Sequence, residues 1–446
     1  MRCLTISALP LLAHALPASN GDGVLHLPIA AGSLDSRGGS LEARQIHQAT
    51  DNWLSTHTIN LTLGTPPQPV TLAFDLGSSQ TWVNPNCDKA PSENVQFCKK
   101  LSRFDPGRST TLEDLGAPPM KLTYGIGSAT ASFKFDQVNI GSATLQNQLF
   151  GVATDSEKVS FGIFGAAPDF SLNRLGRDRS PIIQSLFTDG KIKRPAFGLG
   201  LGGRDGKHGG ITYGGIDVKQ FSGRLEKRPV AGKQPEGTSA YIVQLDRITV
   251  GSGNGRDSTI IPSAKPLRVL LDSGTSAHIL PAKMVEAIIK SIPSAEPIVE
   301  KGSNLEMTYY KVDCAMRDSK DTIDFTFGQT VIKSSFRDMV VPVDASNSHC
   351  KLALGSSSQL EQMGVNILGA PFLRAVYMVA DWKDWVVYLA QKEDCGSEML
   401  SLDMNTSIDT ITGKCGADPK KAGSSGQAAQ PKPEDSPSCS WWKFWC

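Results

Sequence analysis

The chain has 446 residues, with 45 Lys plus Arg against 44 Asp plus Glu and a formal net charge of +1. That balance argues against a nucleic-acid binder and against a strongly acidic protein, and the length exceeds one comfortable core, so two units of roughly 150 to 190 residues are expected. The 43 Gly and 27 Pro, scattered among short alternating apolar segments, favour a mostly β protein.

In chain order, residues 1–18 combine Arg2, an apolar stretch through Leu16 and small residues at Ala13, Ala15 and Ala18, the pattern of a secretory signal peptide. Of the nine Cys, Cys3 would leave with that signal and eight would remain, an even number suited to an oxidising compartment. Residues 19–55 are polar and Gly-rich, with one apolar patch at Val24-Leu25-His26-Leu27-Pro28-Ile29. Ile59, Leu61 and Leu63 then alternate with polar residues, as in a half-buried strand that turns Asn60 outward. Asn60-Leu61-Thr62 and Asn405-Thr406-Ser407 are glycosylation sequons in a chain that reads as secreted.

The run Leu72-Ala73-Phe74 leads into Asp75-Leu76-Gly77-Ser78, a carboxylate at a tight glycine turn after a buried strand. Cys87 and Cys98 bracket a short loop, and a disulfide is its simplest reading, because a zinc site needs closer Cys pairs or nearby His. Tyr124-Gly125-Ile126-Gly127-Ser128 is a turn between strand-like runs. Gly198 to Gly203 satisfies G-x-G-x-x-G, but the following Arg204-Asp205-Gly206-Lys207-His208-Gly209-Gly210 cannot form the helix a dinucleotide site needs.

A second unit opens near Tyr241-Ile242-Val243-Gln244-Leu245, and Val269-Leu270-Leu271 leads into another carboxylate turn, Asp272-Ser273-Gly274-Thr275. His278 reads as a packed strand residue, the seven His form no cluster, and no metal or cofactor is expected. Beyond Cys395 the composition shifts to Gly, Ser, Pro, Lys and Asp, so residues 396–446 read as a flexible tail. Its aromatic end, Cys439-Ser440-Trp441-Trp442-Lys443-Phe444-Trp445-Cys446, should be closed locally by Cys439 and Cys446, with Cys395 and Cys415 as the other late pair. That end is too short for a lipid-anchor signal and no run is long enough to span a membrane, so free secretion is expected.

The two carboxylate turns are each followed, nearly the same distance on, by an apolar-apolar-Gly triplet: Ile163-Phe164-Gly165 and Ile367-Leu368-Gly369. Matched landmarks at matched spacing indicate an internal duplication. On these motifs, from about residue 56 to about 395, the chain resembles the pepsin-like aspartic proteases, in their fungal secreted and yapsin-like branch. Gly64-Thr65-Pro66-Pro67-Gln68 and Ser78-Ser79-Gln80-Thr81-Trp82-Val83 are similar to signatures of that family.

The resemblance implies a mostly β, bilobal fold with pseudo-symmetric lobes at 56–240 and 241–395 and a substrate cleft between them. It implies that residues 19–55 are a propeptide whose first strand joins the sheet beneath the lobes. No Lys lies in that segment, so a basic lock on the site would fall to Arg37 or Arg44. Asp75 and Asp272 become the catalytic pair, supported by Gly77, Ser78, Ser273, Gly274 and Thr275. Tyr124, Gly125 and Ile126 become a substrate-covering flap, with the Tyr124 hydroxyl reaching toward Trp82. A Cys314–Cys350 disulfide follows by the same analogy.

Two carboxylates in contact cannot both ionise cheaply, so such a pair holds a shared proton in acid and titrates as a unit. The chemistry implied is aspartic-type hydrolysis of peptide bonds at acidic pH by a secreted monomer, acting on extended polypeptides and blocked by pepstatin-like inhibitors. The chain departs from the family at Leu76, where a Thr is usual, and at Ile126, where the flap residue is usually polar. The alternative is a catalytically weak or inactive pepsin-like clamp that binds peptides or inhibitors.

Overall fold

The structure, a computed structural model, describes residues 23–32, 56–168, 181–202, 209–231, 240–251, 258–259, 266–292, 295–301, 305–343 and 349–416. The signal segment, most of the propeptide segment with Arg37 and Arg44, and the end of the chain with Cys439 and Cys446 lie outside them. Strands dominate, and the few helices are short, such as Ile182–Thr188, Ala282–Ile289 and Ala370–Ala375.

The alternation read at 59–63 is a strand, Thr56–Leu63, with Ile59, Leu61 and Leu63 buried and Asn60 exposed. Burying one face of a pleated strand sets its register, since a one-residue slip would turn all three apolar residues to water. Its antiparallel partner, Gln68–Asp75, places Thr71 opposite Asn60, where the Thr71 hydroxyl donates to Asn60 Oδ1 at 2.7 Å.

Among the described residues, two large sheets repeat one topology. In the nine-stranded sheet, Gln68–Asp75 lies between Thr56–Leu63, antiparallel, and Gly162–Gly165, parallel. Gly162–Gly165 then meets Trp82–Val83 antiparallel, and Trp82–Val83 meets Ala143–Glu157 parallel. In the eight-stranded sheet the same succession is Ile242–Leu245, Leu267–Leu271, Ile367–Leu368, His278–Ile279 and Cys350–Ser356, with the same senses of pairing. Each apolar-apolar-Gly triplet is therefore the parallel neighbour of a carboxylate-bearing strand.

A six-stranded sheet joins distant parts of the chain in the order Leu25–Pro28, Gly210–Tyr213, Ala196–Gly200, Val376–Asp381, Val386–Gln391 and Glu226–Pro229. Val376–Asp381 is buried along its whole length and Val386–Gln391 nearly so, as strands covered on both faces are. Residues on both sides of position 240 share this sheet, so the boundary drawn at 240 does not coincide with a sheet boundary. Arg194 anchors the end of the interior strand Val376–Asp381: its guanidinium donates to Asp381 at 3.0 and 2.7 Å and to the carbonyls of Asp403 and Thr406.

Residues 396–416 correct the expectation of a flexible tail starting at 396. Met399–Ser401 pairs with Gly215–Asp217, Thr412–Lys414 pairs with Ser222–Arg224, and a disulfide joins Cys395 to Cys415. The polar composition hides this because the strands have three residues each and are anchored by only two deeply buried apolar side chains, Leu402 and Ile408. Two further disulfides join Cys87 to Cys98 and Cys314 to Cys350.

Candidate active site

Asp75 ends the strand Gln68–Asp75, and Asp272 directly follows Leu267–Leu271. Both turns carry the same bonds. Gly77 N donates to Asp75 Oδ1 at 2.8 Å and the Ser78 hydroxyl donates to Oδ2 at 2.5 Å. Gly274 N donates to Asp272 Oδ1 at 2.8 Å and the Thr275 hydroxyl donates to Oδ2 at 2.5 Å. Each carboxylate is thus held at both oxygens by its own turn, which fixes its plane.

The glycines explain why the sequence repeats them. A Cβ on Gly77 would lie 2.5 Å from Asp272 Oδ1, and a Cβ on Gly274 would lie 2.6 Å from Asp75 Oδ1. Each turn therefore needs a residue without a side chain to let the opposite carboxylate approach. The triplet glycines have a similar cause: a Cβ on Gly165 would lie 2.4 Å from the Ser79 carbonyl carbon, and one on Gly369 would lie 2.2 Å from the Ala277 carbonyl oxygen. There the parallel strand passes directly against the chain leaving the carboxylate turn.

Asp75 and Asp272 are both buried, and they are close enough for each to act on the other's ionisation. Burial raises the Asp75 pKa above its usual value, and the negative charge of Asp272 raises it further, against the lowering effect of the Ser78 and Gly77 donors. Between the turns, Ser273 Oγ donates to the Phe74 carbonyl at 2.8 Å and accepts from Leu76 N at 2.9 Å. Leu76 has no hydroxyl with which to return these bonds. Its side chain is instead fully buried in the main apolar core.

Met120–Thr123 and Ser128–Ile140 form a hairpin closed by a bond from Tyr124 N to the Gly127 carbonyl. Gly127 has φ +85, and a Cβ there would lie 2.4 Å from the Glu157 carbonyl. Trp82 Nε1 donates to the Tyr124 hydroxyl at 2.6 Å, and burial pushes the Tyr124 phenol upward, so it stays protonated. The hairpin tip faces the second sheet system: Leu305 Cδ1 lies 3.7 Å from where a Gly125 Cβ would be, and Ile126 is 65% exposed beside it.

His278 lies in its strand with both ring nitrogens unpartnered, against the Phe325 edge at 5.1 Å. No group of three or more His, Cys, Asp or Glu suited to a metal occurs among the described residues. Sequence reading placed Tyr241 only at the start of the second unit. Its hydroxyl partners, Ala166 and Trp382, are 75 and 141 positions away, so no local pattern reveals them.

Two sheets of one topology, each with a carboxylate turn at the end of a central strand and brought together at those turns, define a bilobal, mostly β fold with a two-carboxylate site. Residues 56–392 match the model of the family described as eukaryotic aspartyl protease, and the chain belongs to that family. It is 29% identical over 401 residues to Secreted aspartic protease 1 of Candida albicans, covering 86% of this chain and 94% of that one. It is 27% identical over 380 residues to the probable aspartic-type endopeptidase OPSB of Arthroderma benhamiae, covering 82% and 75%. The crystal structure of the aspartic proteinase from Irpex lacteus superposes with a TM-score of 0.59 at 19% identity, covering 83% of this chain and 98% of that one, a likeness of fold. The class of enzyme is therefore an aspartic-type endopeptidase, a hydrolase.

Proposed function

We propose that this chain hydrolyses internal peptide bonds of extended polypeptides at acidic pH, with Asp75 and Asp272 as the catalytic pair. The observation that carries the reading is the contact between two buried carboxyls, each gripped by mirrored donors, with Asp75 held above its ordinary pKa. With one proton shared across the pair, the ionised carboxylate takes a proton from a water as its oxygen attacks the scissile carbonyl carbon. The protonated carboxyl donates to the carbonyl oxygen, giving a tetrahedral intermediate. On collapse, the carboxyl that took the water proton gives it to the departing nitrogen as the C–N bond breaks, and the other carboxylate recovers a hydroxyl proton as the carbonyl re-forms. Deprotonating both carboxyls removes the acid, so activity falls as pH rises.

The hairpin bearing Tyr124, Gly125 and Ile126 supplies backbone groups that pair with a substrate strand, and Trp82 orients Tyr124. Pepstatin-like compounds would occupy the same cleft, and the protein would act as a monomer. Secretion is supported by the N-terminal pattern, the three disulfides and a relative named as secreted. No helix among the described residues is long and apolar enough to cross a membrane. Asn60 and Asn405, both exposed, are the proposed glycan carriers. The buried Leu76 favours slow turnover over rapid turnover, which is the form the clamp reading takes here. The test is cleavage of a denatured protein at acidic pH, with and without pepstatin. Pepstatin-sensitive cleavage is expected, and its absence from a folded preparation would favour a binding protein.

A further inference from the structure

We propose that Tyr241 is a positioning residue that holds the two carboxylate turns in register from beneath, through both its hydroxyl and its backbone carbonyl. The proposal rests on the reading of Asp75 and Asp272 as the catalytic pair. The path is short. The Asp75 carbonyl accepts from Ala166 N at 2.8 Å, and the Ala166 carbonyl accepts from the Tyr241 hydroxyl at 2.9 Å. The Tyr241 carbonyl accepts from Leu271 N at 3.0 Å, and Asp272 is the next residue. Two residues therefore connect the two turns, Ala166 through its backbone and Tyr241 through its hydroxyl and its carbonyl.

The hydroxyl also accepts from Trp382 Nε1 at 2.9 Å. Ala166 directly follows Gly162–Gly165 of the nine-stranded sheet, Tyr241 directly precedes Ile242–Leu245 of the eight-stranded sheet, and Trp382 directly follows Val376–Asp381 of the six-stranded sheet. Three sheets thus meet at one oxygen. Tyr241 is 1% exposed, and the Phe197 ring stands edge-on to it at 6.2 Å, so the phenol has no freedom to turn away. Burial raises the phenol pKa well above its usual value, and it remains a donor throughout the acidic range.

The bracket matters more here because the bonding between the turns is one-sided. The Ser273 hydroxyl donates to the Phe74 carbonyl and accepts from Leu76 N, while the Leu76 side chain offers no hydrogen bond in return. A phenylalanine at 241 would fill the same apolar space but leave the Ala166 carbonyl and the Trp382 N–H without this partner, freeing the Asp75 side to shift against Asp272. Carboxyls that drift apart ionise more independently.

The test uses the full chain carrying Tyr241→Phe, with Tyr377→Phe as comparison. Tyr377 is also a buried phenol, its hydroxyl accepting from Asp217 N at 2.8 Å, away from both turns. The expected result for Tyr241→Phe is a kcat lower by about tenfold or more, since a misplacement of about 1 Å at reacting groups costs roughly a hundredfold. KM should stay within about twofold, because the substrate-binding hairpin is untouched. The alkaline limb of the kcat profile should move to lower pH. Tyr377→Phe should lower the melting temperature while leaving kcat and the pH profile in place. Leu76→Thr should restore turnover to Tyr241→Phe by a larger factor than it raises turnover of the wild type, because it adds a second connection between the same turns. A Tyr241→Phe enzyme with wild-type kcat and pH profile, or one that loses no more turnover than Tyr377→Phe, overturns the proposal. Amide hydrogen exchange at Leu271 to Gly274 reads the bracket without catalysis: faster exchange in Tyr241→Phe supports it even if the wild type cleaves nothing, and unchanged exchange refutes it.

Discussion

Replacing Leu76 by Thr should raise turnover while lowering stability slightly. The two turns are related by matching bonds, so a hydroxyl at position 76 would face Ser273 N–H and the Leu271 carbonyl, as Ser273 Oγ faces Leu76 N–H and the Phe74 carbonyl. Each such bond contributes about 0.5 to 1.5 kcal/mol net, more where it rescues a buried unpaired group. Against this, Leu76 is fully buried in the apolar core. Truncating a buried Leu to Ala costs about 2 to 5 kcal/mol, and Thr, which keeps two branches at Cβ, loses roughly the lower part of that range. With two such bonds gained, the sum runs from near zero to a net loss of about 1 kcal/mol, or at most about 1 to 2 °C in melting temperature for a folded body of this size. Turnover should rise several-fold, because both turns would then hold each other and the carboxyl planes would wander less. The assay is kcat and melting temperature at one acidic pH for wild type, Leu76→Thr and Leu76→Val. Val has the shape of Thr without its hydroxyl, so the Thr-to-Val difference isolates the bonds. Equal kcat for Thr and Val, or a Thr variant slower than wild type, would show that the core has repacked around leucine and that the missing bonds limit nothing.

Asp75→Asn and Asp272→Asn should each abolish cleavage of a denatured protein at acidic pH while leaving circular dichroism unchanged; residual pepstatin-sensitive activity in either variant would exclude the pair. Because the native pKa of Asp75 is raised, the unfolded state releases its proton first, so this group's contribution to stability is present below the unfolded value and is lost as pH climbs toward the native one. Asp75→Asn should therefore gain melting temperature over wild type more at pH 7 than at pH 3.5, and a pH-independent difference would contradict the shift. His278 has the opposite linkage. Its burial, with Arg374 nearby, lowers its pKa to about 3, so the unfolded state takes up a proton below pH 6.5 while the native state does not. Stability is then lost as pH falls through that window, by about 3 kcal/mol at pH 4 at most. His278→Phe should thus raise the melting temperature more at pH 4 than at pH 7, provided the larger ring is accommodated, and His278→Leu covers the case in which it is not. Neither variant gaining at low pH would mean that the imidazole finds a partner in solution.

Much of the site was readable along the chain because its chemistry is local. A carboxylate turn needs an apolar strand before it, a glycine to admit its counterpart and a hydroxyl to hold its outer oxygen; the glycine and the hydroxyl follow within three residues of Asp75 and again of Asp272, and the strand leads directly into each. Repetition made the pattern specific, and the triplet glycines at 165 and 369 were visible for the same reason: backbone passes too close there for any side chain. The mostly β fold followed from alternation such as Ile59, Leu61 and Leu63. The extent of the folded body did not, since residues 396–416 are polar edge strands whose partners, Gly215–Asp217 and Ser222–Arg224, are remote in sequence. Leu76 was legible as a departure, but whether it faced water or apolar side chains depended on packing from both halves of the chain. Tyr241 was legible only as a tyrosine before a strand. Its role exists because folding brings Ala166 and Trp382 to its buried phenol and Leu271 to its backbone carbonyl. A hydrogen bond between distant residues leaves no periodicity in the sequence, so only the tertiary structure could assign it.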